Sequence, residues 1–233
     1  LDIPAAVEQR RPIKETPLER LARQSREFAV ALARGALLSA LLLPLLLFSF
    51  FSIDLPFRGL DHLFVAPIAK PGNWLSLGFL AMALAPFAVI LISRRFGGEE
   101  ASRVVTATWT IAAIAAFAGV SYLAPVLESG DMPSVAFVTA FVGSSILAQF
   151  AAAAVYDVTR GSERWWRAPF FAGLAAILSQ GFLYFPVAYW GTNAPWPNWL
   201  VQYVGLSAVG VVVFLGVYRV LMRPLRPRGG FGG

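Results

Sequence analysis

The hydrophobic pattern of the chain divides into six long apolar segments that are separated by short polar connections. As a helix, about 20 consecutive apolar residues cross the ~30 Å hydrocarbon core of a bilayer. Each segment has about that length and contains no Asp, Glu or Lys. The pattern therefore predicts an all-α, polytopic integral membrane protein with six transmembrane helices. The predicted spans are residues 35–53, 74–93, 104–125, 135–156, 169–190 and 200–221.

The distribution of lysine and arginine predicts how these spans are oriented. Seventeen of the 19 basic residues lie in the N-terminal arm, in the second and fourth connections and at the C-terminal end. Only Arg58 and Lys70 lie elsewhere, in the first connection. Basic connections are retained in the cytoplasm, so both termini are predicted to be cytoplasmic (N-in, C-in). We expect a multi-pass protein of the bacterial inner (cytoplasmic) membrane.

Three regions follow from this division. Residues 1–34 form a basic cytoplasmic arm, residues 35–222 the six-span membrane domain, and residues 223–233 a flexible, basic, Gly-rich tail. Within the arm, Thr16, Pro17 and Glu19 have the spacing of a capping box, which starts a helix. That helix either lies along the inner leaflet as a basic amphipathic helix or runs continuously into the first span. The first outer connection, 54–73, is apolar enough to form a short helix at the outer interface.

The composition agrees with a lipid-facing surface and excludes several kinds of site. The chain is 58% hydrophobic and 14% charged, with a mean hydropathy of +0.66, whereas soluble domains carry about 25% charged residues. The net charge of +6 comes from the clusters that set the orientation, so no nucleic-acid partner is expected. Cysteine is absent and His62 is the only histidine, so we expect no metal site, no cofactor and no enzymatic activity.

Four stretches of sequence carry a family resemblance over about residues 74–222. They are 87–97 (FAVILISRRFG), 147–157 (LAQFAAAAVYD), 164–169 (RWWRAP) and 188–190 (AYW). Together they resemble the queuosine-precursor transporter family, also called VUT. The resemblance implies a six-span fold and import of deazapurine precursors of a modified tRNA base.

The chain departs from that family at the intramembrane charges. The resemblance implies aspartates at the positions that Ile90, Ala152, Gln180 and Leu206 occupy here, and a lysine at Gly210. A purine-like ligand presents several hydrogen-bonding groups, and each costs some kcal/mol to bury without a partner. Intramembrane acids are costly and are kept mainly for function, so their joint loss indicates an eroded substrate site.

The remaining polar side chains at membrane depth are the candidates for a neutral substrate site. They also fit interhelical hydrogen bonds, which are commoner for amides and hydroxyls in spans. The candidates are Gln149, Gln180, Gln202, Ser93 and Ser145, with Ser144 and Ser179 beside them.

Two functional hypotheses follow. The first is a non-catalytic structural or interaction subunit, bound to other membrane protein subunits in a larger inner-membrane, energy-transducing complex. The second is a transporter of a purine-like or other neutral small solute. Small residues at four-residue spacing (Ser144, Ala148 and Ala152; Ala115 and Gly119) predict close helix packing, within the chain or with another one.

Overall fold

The computed structural model describes residues 16–123, 125, 126 and 134–227. The predictions for residues 1–15 and for the end of the tail, 228–233, lie outside these residues. The first connection contains three 3₁₀ turns, Asp61–Leu63, Pro67–Ala69 and Pro71–Asn73. The α-helices of the described part are α1 (Pro17–Phe51), α2 (Leu77–Met82), α3 (Ala85–Phe96), α4 (Gly98–Leu123), α5 (Val135–Thr159), α6 (Arg167–Tyr189) and α7 (Trp196–Leu221).

Six helical segments in the described part are long and apolar enough to cross a membrane, which confirms the predicted number. Five are single helices, and α2 and α3 together form the sixth, Leu77–Phe96. Pro86 lies in the first turn of α3, where its missing N–H costs no hydrogen bond. Pro44 and Pro186 lie inside the uninterrupted helices α1 and α6.

Helix α1 extends well beyond the predicted first span. The predicted capping box is present: the Glu19 N–H donates to Thr16 Oγ1 (3.3 Å) and the Thr16 N–H donates to Glu19 Oε2 (2.9 Å). From there the helix runs without interruption for 35 residues, about 52 Å at 1.5 Å per residue. Of the two alternatives for the arm, the structure therefore has the helix that is continuous with the first span.

The second connection was predicted as a loop carrying Arg94, Arg95 and Arg103, and this prediction is wrong. Helix α3 continues to Phe96, and α4 begins at Gly98, so all three arginines lie on helices. The chain turns from α3 into α4 at the single residue Gly97. Its φ of +93° lies in the left-handed region that favours glycine.

The helices pack around one apolar core with two adjoining parts. Near the α3–α4 turn the core is formed by small and branched residues, including Val89, Ala148 and Ala152. Toward the opposite end it is aromatic, and the rings of Phe79 and Tyr184 lie 4.5 Å apart. Ser144, Ala148 and Ala152 are buried inside the bundle, so this stripe of small residues packs within the chain.

Close approach of two helices fixes the start of the second span. The Gly78 N–H donates to the Ser52 carbonyl (2.9 Å), just after the last turn of α1. A Cβ at Gly78 would lie 2.1 Å from the Ser49 carbonyl oxygen, so only glycine allows this contact. The first connection folds over the same end of the bundle, where Trp199 Nε1 donates to the Ile68 carbonyl (3.2 Å).

Candidate functional site

The candidate residues do not meet in one cavity, and the three glutamines lie in separate hydrogen-bonded groups. The most connected group joins α5, α6 and α7 and is buried. Tyr203 donates its hydroxyl to Gln180 Oε1 (3.1 Å), and Gln180 Nε2 donates to Ser145 Oγ (3.4 Å). Both ends of the Gln180 amide are therefore engaged within the chain.

The other two glutamines each accept a hydrogen bond from a tryptophan. Gln149 is buried, and its Oε1 accepts from Trp109 Nε1 (3.3 Å) while its Nε2 lies 3.9 Å from Met82 Sδ. Gln202 is half-buried, and its Oε1 accepts from Trp74 Nε1 (3.1 Å). These contacts tie α4 to α5 and the start of the second span to α7.

Ser93 differs from the other candidates because its hydroxyl has no hydrogen-bond partner in the described part of the chain. It is fully buried in α3 and directly precedes Arg94 in the sequence. Ser144 donates to the Phe141 carbonyl of its own helix (3.2 Å), and Ser179 is half-buried.

The positions where the resemblance implies charges fall into two environments. Ile90 and Ala152 have no exposed surface and lie in solid core. Leu206 and Gly210 line a cavity of about 340 Å³ between the second span and α7, whose other walls are almost entirely apolar. Tyr203 is also in that wall, so the Gln180 group lies directly behind the cavity.

A buried arginine is the polar feature that sequence reasoning missed. Arg94 is only 9% exposed, and its Nη1 donates to Tyr218 Oη (2.9 Å) while Nη2 donates to the Met222 carbonyl (3.4 Å). The Tyr218 hydroxyl lies 2.8 Å from that of Tyr156, and the guanidinium lies 5.3 Å from the Tyr218 ring centroid. No carboxylate of the described residues pairs with Arg94, so tyrosine hydroxyls and a carbonyl take the place of a counter-ion.

One sequence signal bears on this cluster. Tyr156 ends the predicted fourth span, and Tyr218 lies one turn before the end of the sixth. In the predicted topology both stand at the level where the second span ends, beside Arg94. The pattern indicates that shared level, but it does not show that Arg94 rather than Arg95 points inward.

Asp157 organises the same end of the bundle. Its Oδ1 accepts the Gly98 N–H (3.0 Å) at the start of α4 and lies 3.3 Å from Arg160 Nη1. Asp157 directly follows the predicted fourth span, 135–156, and the structure places it in the last turns of α5, against the α3–α4 turn. Its role is structural, since it satisfies a helix N-terminus.

Metal binding finds no support among the described residues, where no group of three or more His, Asp or Glu side chains is close enough to hold an ion. His62 is exposed in the first connection. Asp61 beside it accepts the Gly72 N–H (2.8 Å) and so holds that connection together.

The most exposed feature of the described chain is the first half of α1. Every residue from Thr16 to Ala33 is exposed, so this helical extension projects from the bundle. It carries three arginines and two glutamates, a net charge of +1. Large apolar side chains are exposed as well, with Leu18 at 78% and Phe28 at 69%.

Comparison of the chain with protein-family models, with curated proteins and with solved structures gave no match.

Proposed function

We propose that the chain is a non-catalytic interaction subunit of a larger inner-membrane, energy-transducing complex, built on a VUT-like bundle whose substrate site has eroded. The observation that carries this proposal is the extension of α1 from Thr16 to Ala33. An isolated helix of this length is marginal in water, and exposed leucines and phenylalanine add nothing to its stability there. Packing of these apolar side chains against a partner protein supplies the stability that the helix lacks by itself.

The hydrogen bonds of the glutamine side chains inside the bundle support the same proposal. Both ends of the Gln180 amide have partners within the bundle, and Gln149 and Gln202 each accept from a tryptophan. Interhelical hydrogen bonds of this kind stabilise a bundle by about 0.6 kcal/mol each. These amides therefore stabilise the bundle, and the surface that binds a partner lies on the outside of the bundle.

Both termini and the α1 extension lie on the cytoplasmic side in this proposal, because the basic residues cluster at that end. The end of α3 and the start of α4 lie at this cytoplasmic end as well. They carry Arg94, Arg95 and Arg103, so these arginines are cytoplasmic although they lie on helices.

Extraction of the full chain from its native membrane in lipid nanodiscs, followed by mass measurement, tests the subunit role. We expect particles in which the chain and other membrane proteins are present in a fixed ratio. Particles that contain the chain alone, at every extraction condition that keeps other membrane complexes intact, would contradict the proposal.

A transporter of a purine-like or neutral solute is the second candidate, favoured by the cavity of about 340 Å³ that has Tyr203 in its wall. In that case the Gln180–Tyr203 group would be the polar part of the site. Uptake of a deazapurine precursor by cells that lack their own transporter tests it. We expect no uptake above background; uptake that Gln180→Leu abolishes would establish transport instead.

A further inference from the structure

The cavity of about 340 Å³ between the second span and α7 lies between two levels at which side chains join these segments. At one level, Trp74 Nε1 donates to Gln202 Oε1 (3.1 Å). At the other, the ring of Phe87 stacks on that of Phe214, with centroids 4.4 Å apart. Between these levels a Cβ at Gly210 would meet nothing within 4 Å, so the described chain leaves this space open.

The lining of the cavity is almost entirely apolar. Among the described residues that form it, only Tyr203 and Ser207 have a polar side chain. The Tyr203 hydroxyl already donates to Gln180 Oε1 (3.1 Å). A purine-like solute has several hydrogen-bonding groups and would leave most of them without a partner here. Apolar cavities instead stay free of water and take up apolar molecules, so the lining fits an apolar occupant.

The mouth of the cavity opens toward the lipid. Leu84 is 53% exposed on one rim, and Val213 is 64% exposed on the other. Both residues lie inside predicted spans, so the medium at the mouth is the hydrocarbon of the bilayer rather than water. Phe79 and Ile177 are buried deeper in the cavity wall. An empty gap would lose dispersion contacts along these walls, and a lipid tail restores them.

The length and the ends of the cavity match one acyl chain. From Tyr203 to Val213 the cavity follows α7 for about 15 Å at 1.5 Å per residue, which is half of the ~30 Å hydrocarbon core and therefore one leaflet. Phe57 and Leu60 of the first connection border it at one end, and Phe87 borders it at the other. A transmembrane helix of a partner is about 10–12 Å wide and crosses both leaflets, so it needs a groove that is open at both ends.

We propose that this cavity is a lipid site, which holds one acyl chain of a phospholipid from the leaflet on the side of the first connection. Tyr203 lies just inside the start of the predicted span 200–221, so this is the outer leaflet in the orientation given above. The acyl chain packs between the second span and α7, where their own side chains leave a gap. The lipid site is independent of the subunit role, and a bound lipid leaves no room in the cavity for a transported solute.

Photolabelling by the lipid itself tests the proposal in native membranes. Cells that make the full chain are grown with a fatty acid that carries a diazirine at mid-chain, which they build into their phospholipids. After irradiation the chain is purified, and the labelled peptides are identified by mass spectrometry. We expect residues 75–87 and 203–213 to carry several-fold more label than the surface of α4 around Phe117, which is 77% exposed and lies outside the cavity.

Two other results of the labelling would overturn the proposal. Equal labelling of the cavity and of the α4 surface would mean that lipid only surrounds the chain. Weaker labelling of the cavity than of that surface would mean that another protein covers its mouth.

Two glycine substitutions in α7 make the test specific for the cavity. Gly210→Leu fills the open space without a clash in the described chain, and we expect it to lower the labelling of residues 75–87 to the level of the α4 surface. Gly205→Leu is the control, because Gly205 is equally open on the same helix but does not line the cavity. It should leave the labelling unchanged, and equal labelling in the two variants would contradict the proposal.

Thermal unfolding of the same two variants shows whether the leucine replaces a lipid or disturbs the fold. In detergent micelles freed of phospholipid, Gly210→Leu should have a higher Tm than Gly205→Leu, because its side chain fills the space of the missing acyl chain. In vesicles of phosphatidylethanolamine and phosphatidylglycerol this difference should shrink, because the parent site is filled there. A lower Tm of Gly210→Leu in the lipid-free micelles would overturn the assignment of the cavity to an acyl chain.

Discussion

The buried Arg94 is expected to depend on the hydroxyl of Tyr218, and the substitution Tyr218→Phe tests this directly. The change removes the acceptor of the Arg94 Nη1 hydrogen bond and the neighbour of the Tyr156 hydroxyl, but keeps the ring. A hydrogen bond to a charged group contributes about 1.5–3 kcal/mol, and the hydroxyl–hydroxyl bond contributes about 1 kcal/mol. We therefore expect Tyr218→Phe to lower the free energy of unfolding by about 2–4 kcal/mol.

Arg94→Met provides the matched background, since it removes the charge and keeps much of the apolar stem. There, Tyr218→Phe loses only its bond to Tyr156 and should cost about 1 kcal/mol. Equilibrium unfolding at increasing SDS fraction in mixed micelles, followed by circular dichroism, gives all four free energies of this double-mutant cycle. An equal cost of Tyr218→Phe in both backgrounds would refute the role of Tyr218 as the partner of a buried cation.

Two further predictions test the fold and its orientation. Gly78→Ala should destabilise the bundle by at least ~2 kcal/mol, because its Cβ would lie 2.1 Å from the Ser49 carbonyl oxygen. Gly35→Ala should be neutral or stabilise the bundle by up to about 1 kcal/mol, because its Cβ would meet nothing within 4 Å. Equal unfolding midpoints for these two variants would contradict the close contact of α2 with α1. Reporters fused at Gly161 or after Met222 should be cytoplasmic and those at Asp61 or Asn193 should not; a cytoplasmic reporter at Asn193 would contradict the six-span topology.

The helices were predictable because their signals are local. Apolar segments of about 20 residues gave six spans, and Thr16 and Glu19 gave the start of α1 at its observed position. The second connection was not predicted, because counting basic residues shows which side of the membrane they prefer but not whether they lie on a helix. The Gly97–Gly98 pair was the available sign of a tight reversal.

The partners of the polar residues were not predictable, because they depend on packing between distant segments. Trp109 is 40 residues from Gln149, and Trp74 is 128 residues from Gln202. No periodicity in the sequence specifies which tryptophan faces which amide. The general expectation that the amides bond between helices agrees with the structure, whereas the idea that they gather around one ligand finds no support in their separate positions.

Copurification of two variants tests the central claim, that this chain acts through its outer surface rather than through a cavity. One variant lacks residues 1–26, which removes most of the exposed α1 extension, and the other is Gln180→Leu, which changes the buried group. We predict that the deletion leaves the bundle folded but lowers the amount of copurified membrane protein about tenfold, while Gln180→Leu leaves it unchanged. Full copurification with the deletion, together with a ligand-dependent melting temperature that Gln180→Leu abolishes, would contradict the account.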